Sequence, residues 1–168
     1  MLAIDIGNSN IVLGVFRGKE LLQELRLKSD LGRTVDEYGA LIGSMLERAC
    51  GSDSKFEGAI MASVVPPLSP LLAEYVERYL RVKCLMVGPG MKTGVSIRTD
   101  DPRAVGADRI VNAAAARSLF GCPGIVVDMG TATTFDCIGD DGAYEGGAIA
   151  PGLGLAVDAL VRNTAKLP

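Results

Sequence analysis

Apolar residues recur in short runs at the start of the chain, and this pattern predicts consecutive β-strands. These strands are expected at 2–6, 10–16 and 20–27. A stripe of helical period then covers 34–50, where Thr34 and Glu37 have the spacing of a capping box. Farther along, the same criteria predict a strand within 58–65, a helix near 68–81, a strand at 84–87, a short strand at 95–98 and a helix over 109–119. This order indicates a central sheet covered by helices.

The opening pattern returns later in the chain. The segment IVVDMGTATTFDCI at 125–138 has the same plan as LAIDIGNSNIVLGVF at 2–16, with an aspartate and a glycine between two apolar runs. The aligned pairs are Asp5 with Asp128, Gly7 with Gly130 and Asn8 with Thr131. Their spacing of 123 residues is too long for a solenoid and indicates a duplicated domain. A third strand at 143–150 and a helix from about 152 to 165 continue the second copy.

The repeat divides the chain into two predicted domains. The first covers residues 1–121, and the second begins within 122–168. The second copy stops after its β-β-β-α part, whereas the first continues through two further strands with a helix between them. We therefore expect the second domain to be incomplete and the 168 residues to be part of a longer product. A protein of only this length is expected to be impaired in activity.

Asp5 interrupts an apolar strand, and an unpaired buried carboxylate would cost several kcal/mol. Either the backbone N–H groups of the following turn satisfy it, or it faces a cleft that holds a cation. The repeat favours the second alternative for both Asp5 and Asp128. Two such hairpins facing a cleft would offer glycine N–H groups and the hydroxyls of Ser9, Thr131 and Thr133 to phosphates, while the aspartates hold the cations that neutralise them.

Composition and charge exclude several classes of partner. Hydrophobic residues make up 48% and charged residues 22% of the 168 residues, which is typical of a globular chain. The net charge is −3 and the basic residues are scattered, so we expect no nucleic-acid partner. No apolar run reaches the roughly 18 residues of a membrane span, and no basic segment precedes the first apolar run. We therefore expect neither a membrane partner nor a signal peptide.

Two residue types bear on the chemistry. The four cysteines are widely spaced and form no C-x-x-C pair, which indicates reduced thiols in a cytoplasmic protein rather than a zinc or redox site. The chain contains no histidine, so Ser-His and Cys-His nucleophile pairs are excluded. Acid–base chemistry then falls mainly to aspartate or glutamate.

The doubled hairpin resembles the phosphate-binding elements of the acetate kinase, sugar kinase, Hsp70 and actin superfamily. More narrowly, four segments together resemble the type III pantothenate kinase family: DIGNSNIVLGVF, TDDPRAVGADRIVNA, VVDMGTATTFD and YEGGAIAPGL. The resemblance implies an α/β fold of duplicated ribonuclease H-like (actin-like ATPase) domains, each with a mixed sheet flanked by helices. It also implies phosphorylation of pantothenate, ATP with Mg²⁺, a monovalent cation (K⁺ or NH₄⁺), and a homodimer whose interface helps form the pantothenate site.

The resemblance assigns the substrate side of the reaction to the element Gly106, Ala107, Asp108 and Arg109. It implies that Asp108 is the general base for the pantothenate hydroxyl and that Arg109 binds the substrate carboxylate. From the residues alone, Asp108 could instead be the N-cap of the following helix. Thr99 stands where many members have a substrate-contacting tyrosine, so that contact is the weakest of the set.

The resemblance also assigns the nucleotide side. Thr131 corresponds to an ATP contact, Asp128 to a monovalent-cation ligand, and Asp5 is expected to hold a divalent cation, through water if not directly. The first ATP-phosphate loop comprises Asp5, Ile6, Gly7, Asn8, Ser9, Asn10, Ile11 and Val12.

Two alternatives to a pantothenate kinase stay open. One is another kinase or a phosphohydrolase of the same superfamily. The other is a non-catalytic nucleotide-binding or regulatory protein, because members of the family have also been described as accessory transcription factors. The sequence shows neither a helix-turn-helix with basic flanks nor a basic stripe, which argues against direct DNA binding.

Overall fold

The computed structural model describes residues 1–51, 55–88 and 90–164. The chain divides into two compact units, Met1–Pro89 and Gly90–Pro168. Each unit combines a β-sheet with helices, so the predicted α/β class is confirmed. Among the described residues, we find no helix that is both long enough and apolar enough to cross a membrane.

The first unit is built on a five-stranded mixed sheet with the order β3-β2-β1-β4-β5. Strands β1, β2 and β3 pair antiparallel, whereas β1, β4 and β5 pair parallel. The elements are β1 (Leu2–Ile6), β2 (Asn10–Arg17), β3 (Glu20–Lys28), α1 (Val35–Cys50), β4 (Ala59–Ser63), α2 (Leu68–Tyr75) and β5 (Cys84–Met86). A π-helical turn, Val76–Leu80, extends α2 and completes the predicted helix near 68–81.

The core of the first unit follows from strand alternation. Every second residue of β1 is buried, and in β2 the buried positions are Ile11, Leu13 and Val15. Helix α1 adds Tyr38, Ile42 and other side chains to the same cluster. Helix α1 begins with the predicted capping box, which is confirmed: Glu37 N–H donates to the Thr34 hydroxyl, and Thr34 N–H donates to the Glu37 carboxylate.

The second unit contains a three-stranded antiparallel sheet with the order β6-β7-β8. Its elements are a short 3₁₀ turn (Pro102–Ala104), α3 (Ala107–Phe120), β6 (Gly124–Met129), β7 (Ala132–Ile138), β8 (Tyr144–Pro151) and α4 (Leu153–Asn163). The short strand expected at 95–98 is present only as an isolated bridge between Ile97 and Tyr144. The expected end of the last helix, at residue 165, lies outside the described residues.

Both units contain the same arrangement, three antiparallel strands followed by a helix, as the sequence repeat predicts. The paired residues differ slightly, because Asp5 lies opposite Val12 whereas Asp128 lies opposite Thr134. The two aspartates are 123 residues apart and their partners 122, so the second hairpin is one residue shorter.

The division into compact units differs from the predicted domain boundary. Helix α3, which the prediction assigned to the first domain, packs against β6 and β7 of the second unit. Packing units and ancestral repeats need not share a boundary, since a segment can belong to one repeat and pack with the other. The predicted domain boundary between residues 121 and 122 therefore stays a prediction about where the second copy of the repeat begins.

Candidate active site

The turn between β1 and β2 contains the first group of expected ATP contacts. Gly7 N–H donates to the Asn10 carbonyl oxygen at 2.9 Å. Ser29, which sequence reasoning missed, donates from its hydroxyl to the Gly7 carbonyl oxygen at 2.6 Å and from its N–H to the Ser9 carbonyl oxygen at 3.0 Å. The turn itself therefore uses the Gly7 N–H that was expected to bind phosphate. Glycine still matters there, because a Cβ would lie 3.2 Å from the Asn10 carbonyl oxygen.

Asp5 is exposed, although its strand neighbours Ile4 and Ile6 are buried. Because successive residues of a strand point to opposite faces of the sheet, Asp5 avoids the cost of a buried carboxylate. Asp5 therefore keeps access to solvent, and an exposed carboxylate can hold a hydrated cation.

The corresponding turn of the second unit is tied to the start of α4. Gly130 N–H donates to the Ala132 carbonyl oxygen at 2.9 Å, and Gly152 N–H donates to the Thr131 carbonyl oxygen at 3.1 Å. A Cβ at Gly152 would clash with the backbone oxygens of Gly130 and Thr131, so only glycine allows helix and turn to approach this closely. This contact explains the glycine that follows the apolar run of β8.

Asp128 lies on β6 and is exposed. The side-chain amide of Asn112, on α3, donates to Asp128 Oδ2 at 3.4 Å. One weak bond of this kind orients the carboxylate without neutralising its charge. Asp128 can therefore act as a cation ligand.

Asp108 is the second residue of α3 and lies in its first turn. The N-cap is Gly106, and none of the described side chains caps this helix. The N-cap alternative for Asp108 is therefore wrong. Its Oδ1 accepts a hydrogen bond from Arg109 N–H at 2.8 Å, and its side chain is only partly exposed. The start of a helix suits a negative charge, because the unpaired N–H groups of the first turn point toward it.

Arg109 forms an ion pair that the sequence analysis did not anticipate. Its Nε donates to Asp136 Oδ1 at 2.5 Å, and its Nη2 donates to the Phe135 carbonyl oxygen at 3.2 Å. Asp136 is 0% exposed and the Arg109 side chain 14%. The criterion applied to Asp5, a carboxylate inside an apolar strand, fits Asp136 on β7, where it was not applied.

Tyr144 completes this group. Its hydroxyl donates to Asp136 Oδ1 at 3.0 Å. Burial, followed by the hydrogen bond to Asp136, raises the pKa of Tyr144 to about 12. The hydroxyl therefore remains a donor at every physiological pH.

Thr99 lies next to the start of β8, since the N–H of its neighbour Arg98 donates to the Tyr144 carbonyl oxygen at 2.8 Å. The Thr99 hydroxyl is buried and has no hydrogen-bond partner in the part of the chain that the structure describes. A buried hydroxyl without a partner costs about 1–3 kcal/mol. A ligand atom or a water bonded to Thr99 would remove that cost.

The sequence profile of the type III pantothenate kinases matches residues 1–168. The chain belongs to the type III pantothenate kinase family. Relatives with this name are 54% identical in Moorella thermoacetica, 49% in an Anaeromyxobacter species and 48% in Brevibacillus brevis. Each match covers 100% of this chain and 66% of the relative, so the chain spans slightly less than two thirds of these pantothenate kinases.

Solved structures support the fold assignment of this family member. The ethanolamine utilization protein EutJ from Carboxydothermus hydrogenoformans is 17% identical with a TM-score of 0.57, and the match covers 99% of this chain and 57% of EutJ. A Ppx/GppA family member from Aquifex aeolicus is 16% identical with a TM-score of 0.51, and the match covers 99% and 54%. At these identities the likeness shows the fold alone.

The donors that this kinase-family chain offers limit how it can hold the expected cations. Within residues 1–51, 55–88 and 90–164, no three Cys, Asp or Glu side chains cluster as a metal site. Mg²⁺ in phosphoryl-transfer sites keeps several waters and uses one or two carboxylates together with substrate phosphates. A single exposed carboxylate such as Asp5 or Asp128 fits that mode and does not fit a cage made entirely of protein ligands.

The expected site residues of this family divide between the units. The ATP-phosphate loop at 5–12 lies in the first unit. Thr99, the element at 106–109, Asp128 and Thr131 lie in the second. Within the second unit, the fold joins Arg109 to Asp136 and Tyr144, two residues that the sequence analysis missed.

Proposed function

We propose that the protein containing this chain phosphorylates pantothenate with ATP, giving 4′-phosphopantothenate in the first step of coenzyme A biosynthesis. The observation that carries the proposal is the adjacent pair at the start of α3, in a chain of this family. Asp108 presents a partly exposed carboxylate, and Arg109 presents a guanidinium held in place by Asp136. These are the two charges that an acceptor with one hydroxyl and one carboxylate requires.

In this proposal Asp108 is the general base. The acceptor hydroxyl oxygen forms a bond to the γ-phosphorus of ATP, the bond from that phosphorus to its bridging oxygen breaks, and ADP leaves. The hydroxyl proton passes to the Asp108 carboxylate. Because the transition state of phosphoryl transfer is loose, much of the contribution of Asp108 is to orient the hydroxyl in line with the phosphorus.

Arg109 binds the acceptor carboxylate in this proposal. Gly106 and Ala107 form the start of α3, and in the proposal this start holds Asp108 and Arg109 at the substrate. Thr99 is retained as a substrate contact, and its buried hydroxyl, which has no hydrogen-bond partner within residues 1–51, 55–88 and 90–164, supports that role. Since a threonine is much shorter than a tyrosine, a water is expected between Thr99 and the acceptor.

The nucleotide side of the proposal uses the loop at 5–12 and Thr131 to hold the phosphates of ATP. When Mg²⁺ is bound it neutralises phosphate charge, and Asp5 holds it through water. Asp128 is the proposed ligand of K⁺ or NH₄⁺. The exposure of both carboxylates supports these assignments.

The proposal has three further parts, of which the family implies the first, the widely spaced cysteines suggest the second and the sequence repeat suggests the third. They are a homodimer whose interface helps form the pantothenate site, a cytoplasmic location, and a second ribonuclease H-like domain that begins at residue 122. Size-exclusion chromatography with light scattering on the full-length gene product tests the first of these.

The test of function is a substrate panel with the full-length gene product. ATP consumption should depend on pantothenate and should be absent with sugars, acetate, polyphosphate or water as acceptors. Mass spectrometry should show one added phosphoryl group on pantothenate. Turnover with another acceptor but not with pantothenate would indicate another kinase of the superfamily. ATP hydrolysis without any acceptor would indicate a phosphohydrolase.

A further inference from the structure

Asp136 is a fully buried carboxylate of the second unit, and it accepts a hydrogen bond from Arg109. Both of its hydrogen bonds, from Arg109 Nε and from the Tyr144 hydroxyl, are made to Oδ1. Its Oδ2 is buried and has no hydrogen-bond partner among the described residues. A pair that served stability alone would gain more by using both carboxylate oxygens, because bidentate pairing satisfies more of the buried polar atoms.

Three groups fix the orientation of the Arg109 guanidinium, and a glycine leaves room for it. Asp136 accepts from Nε, and the Phe135 carbonyl oxygen accepts from Nη2. The Tyr144 ring lies 5.6 Å from Cζ, within the range of a cation–π contact. Gly147 provides the space, since a Cβ at that position would clash with Nη2. The guanidinium therefore has little freedom to rotate.

The pattern of these bonds determines which donors remain. A guanidinium has five N–H groups. Nε and one N–H of Nη2, which together form one edge of the planar group, are used by Asp136 and Phe135. Two N–H groups on Nη1 and one on Nη2 have no hydrogen-bond partner among the described residues. One N–H from each of these nitrogens lies parallel at the outer edge of the group, and two parallel donors are what a carboxylate binds.

We propose that Asp136, supported by Tyr144, is a positioning residue that presents the outer edge of Arg109 to the acceptor carboxylate and so makes the enzyme prefer carboxylate-bearing acceptors. The inference rests on the proposed function, in which Arg109 binds that carboxylate. Asp136 acts only through Arg109, because it is 0% exposed.

The test compares Asp136→Asn with Glu145→Gln in the full-length protein. Both changes remove one carboxylate charge from an arginine partner, but Glu145 pairs with the exposed Arg98. Asp136→Asn should weaken pantothenate binding about tenfold by calorimetry, as expected for a lost charge-assisted contact, and raise KM more than it lowers kcat. Binding of an amide analogue without the carboxylate should be unchanged. Glu145→Gln should behave as wild type with both ligands.

A spectroscopic signature separates positioning from a structural role. The Arg109 Nε–H resonance should be protected from exchange in the wild type and in Glu145→Gln, and should lose that protection in Asp136→Asn. If Asp136→Asn unfolds, Tyr144→Phe keeps the ion pair and should still give a selective, smaller loss of about twofold to threefold in pantothenate binding.

The outcomes distinguish this inference from the proposed function. Wild-type protein that neither binds nor phosphorylates pantothenate would refute the proposed function. The positioning role is overturned if the wild type is active but folded Asp136→Asn binds pantothenate and the amide analogue equally more weakly than the wild type does. It is also overturned if this variant binds both ligands as tightly as the wild type.

Discussion

The backbone N–H of Arg109 donates to Asp108 Oδ1 at 2.8 Å, so the proposed base is anchored by the residue proposed to bind the substrate. This bond occupies one carboxylate oxygen and leaves Oδ2 as the candidate proton acceptor. Since Gly106 is the N-cap, the helix does not depend on Asp108 for capping. Stability and catalysis can therefore be separated at this position.

Asp108→Asn should fold normally and lose nearly all pantothenate-dependent turnover. Asparagine can still accept from Arg109 N–H, so we expect the free energy of unfolding to fall by less than about 1 kcal/mol. It cannot take the hydroxyl proton, so kcat should fall about 10²-fold or more. The measurements are steady-state kinetics and urea denaturation.

A matched control for this prediction is Asp101→Asn, because Asp101 Oδ1 also accepts from a nearby backbone N–H, that of Arg103, at 3.1 Å. This variant should keep wild-type turnover. Full activity in Asp108→Asn, or equal losses in the two variants, would exclude Asp108 as the base.

Arg109→Ala should destabilise the protein by about 3–5 kcal/mol, because it leaves the buried Asp136 charge without its partner. Adding Asp136→Asn should restore most of that stability, since the orphaned charge is then removed. Urea denaturation of both single variants and the double variant gives the coupling energy. Additive losses would show that the ion pair contributes nothing specific.

Asp128→Ala should raise the concentration of K⁺ or NH₄⁺ needed for half-maximal turnover and weaken ATP binding, because phosphate charge is then less neutralised. Asp158→Ala, which removes an exposed carboxylate from α4, should have neither effect. Turnover titrated with KCl and NH₄Cl, and ATP binding by calorimetry, measure this. A wild-type enzyme that is indifferent to monovalent cations would remove the proposed role of Asp128.

Glu37 should make stability depend on pH in the acid range. Its bond from the Thr34 backbone, followed by that from the Thr34 hydroxyl, lowers the pKa of the Glu37 carboxyl below its ordinary value of 4.5. The unfolded chain then binds more protons near that pH, so stability rises with pH and is lost as pH falls through the folded pKa. Glu37→Gln should flatten the dependence of the free energy of unfolding between about pH 5 and pH 3.

The Thr34–Glu37 capping box should also contribute to stability at neutral pH. Thr34→Ala should lower the free energy of unfolding by about 1 kcal/mol, whereas Thr34→Ser keeps the hydroxyl and should be close to wild type. Kinetic constants should not change in either variant. A stable Thr34→Ala protein would show that packing of α1, rather than its cap, determines where the helix begins.

The sequence by itself determined most elements of both units, because their signals are local. The alternation in β1 and the Thr34–Glu37 box each depend on residues a few positions apart, and the structure has both. The repeated aspartate and glycine likewise located the two hairpins. Comparison of the two segments could not show that the second turn is one residue shorter, because only strand pairing fixes which residues lie opposite.

Burial and side-chain partners were decided only by the tertiary structure. Asp5 and Asp136 both stand inside apolar strands, yet the first is exposed and the second is fully buried. Arg109 meets Asp136, 27 residues away, because α3 packs against β7. Which face of a strand is covered, and by what, depends on segments distant along the chain, and no local pattern of residues carries that information.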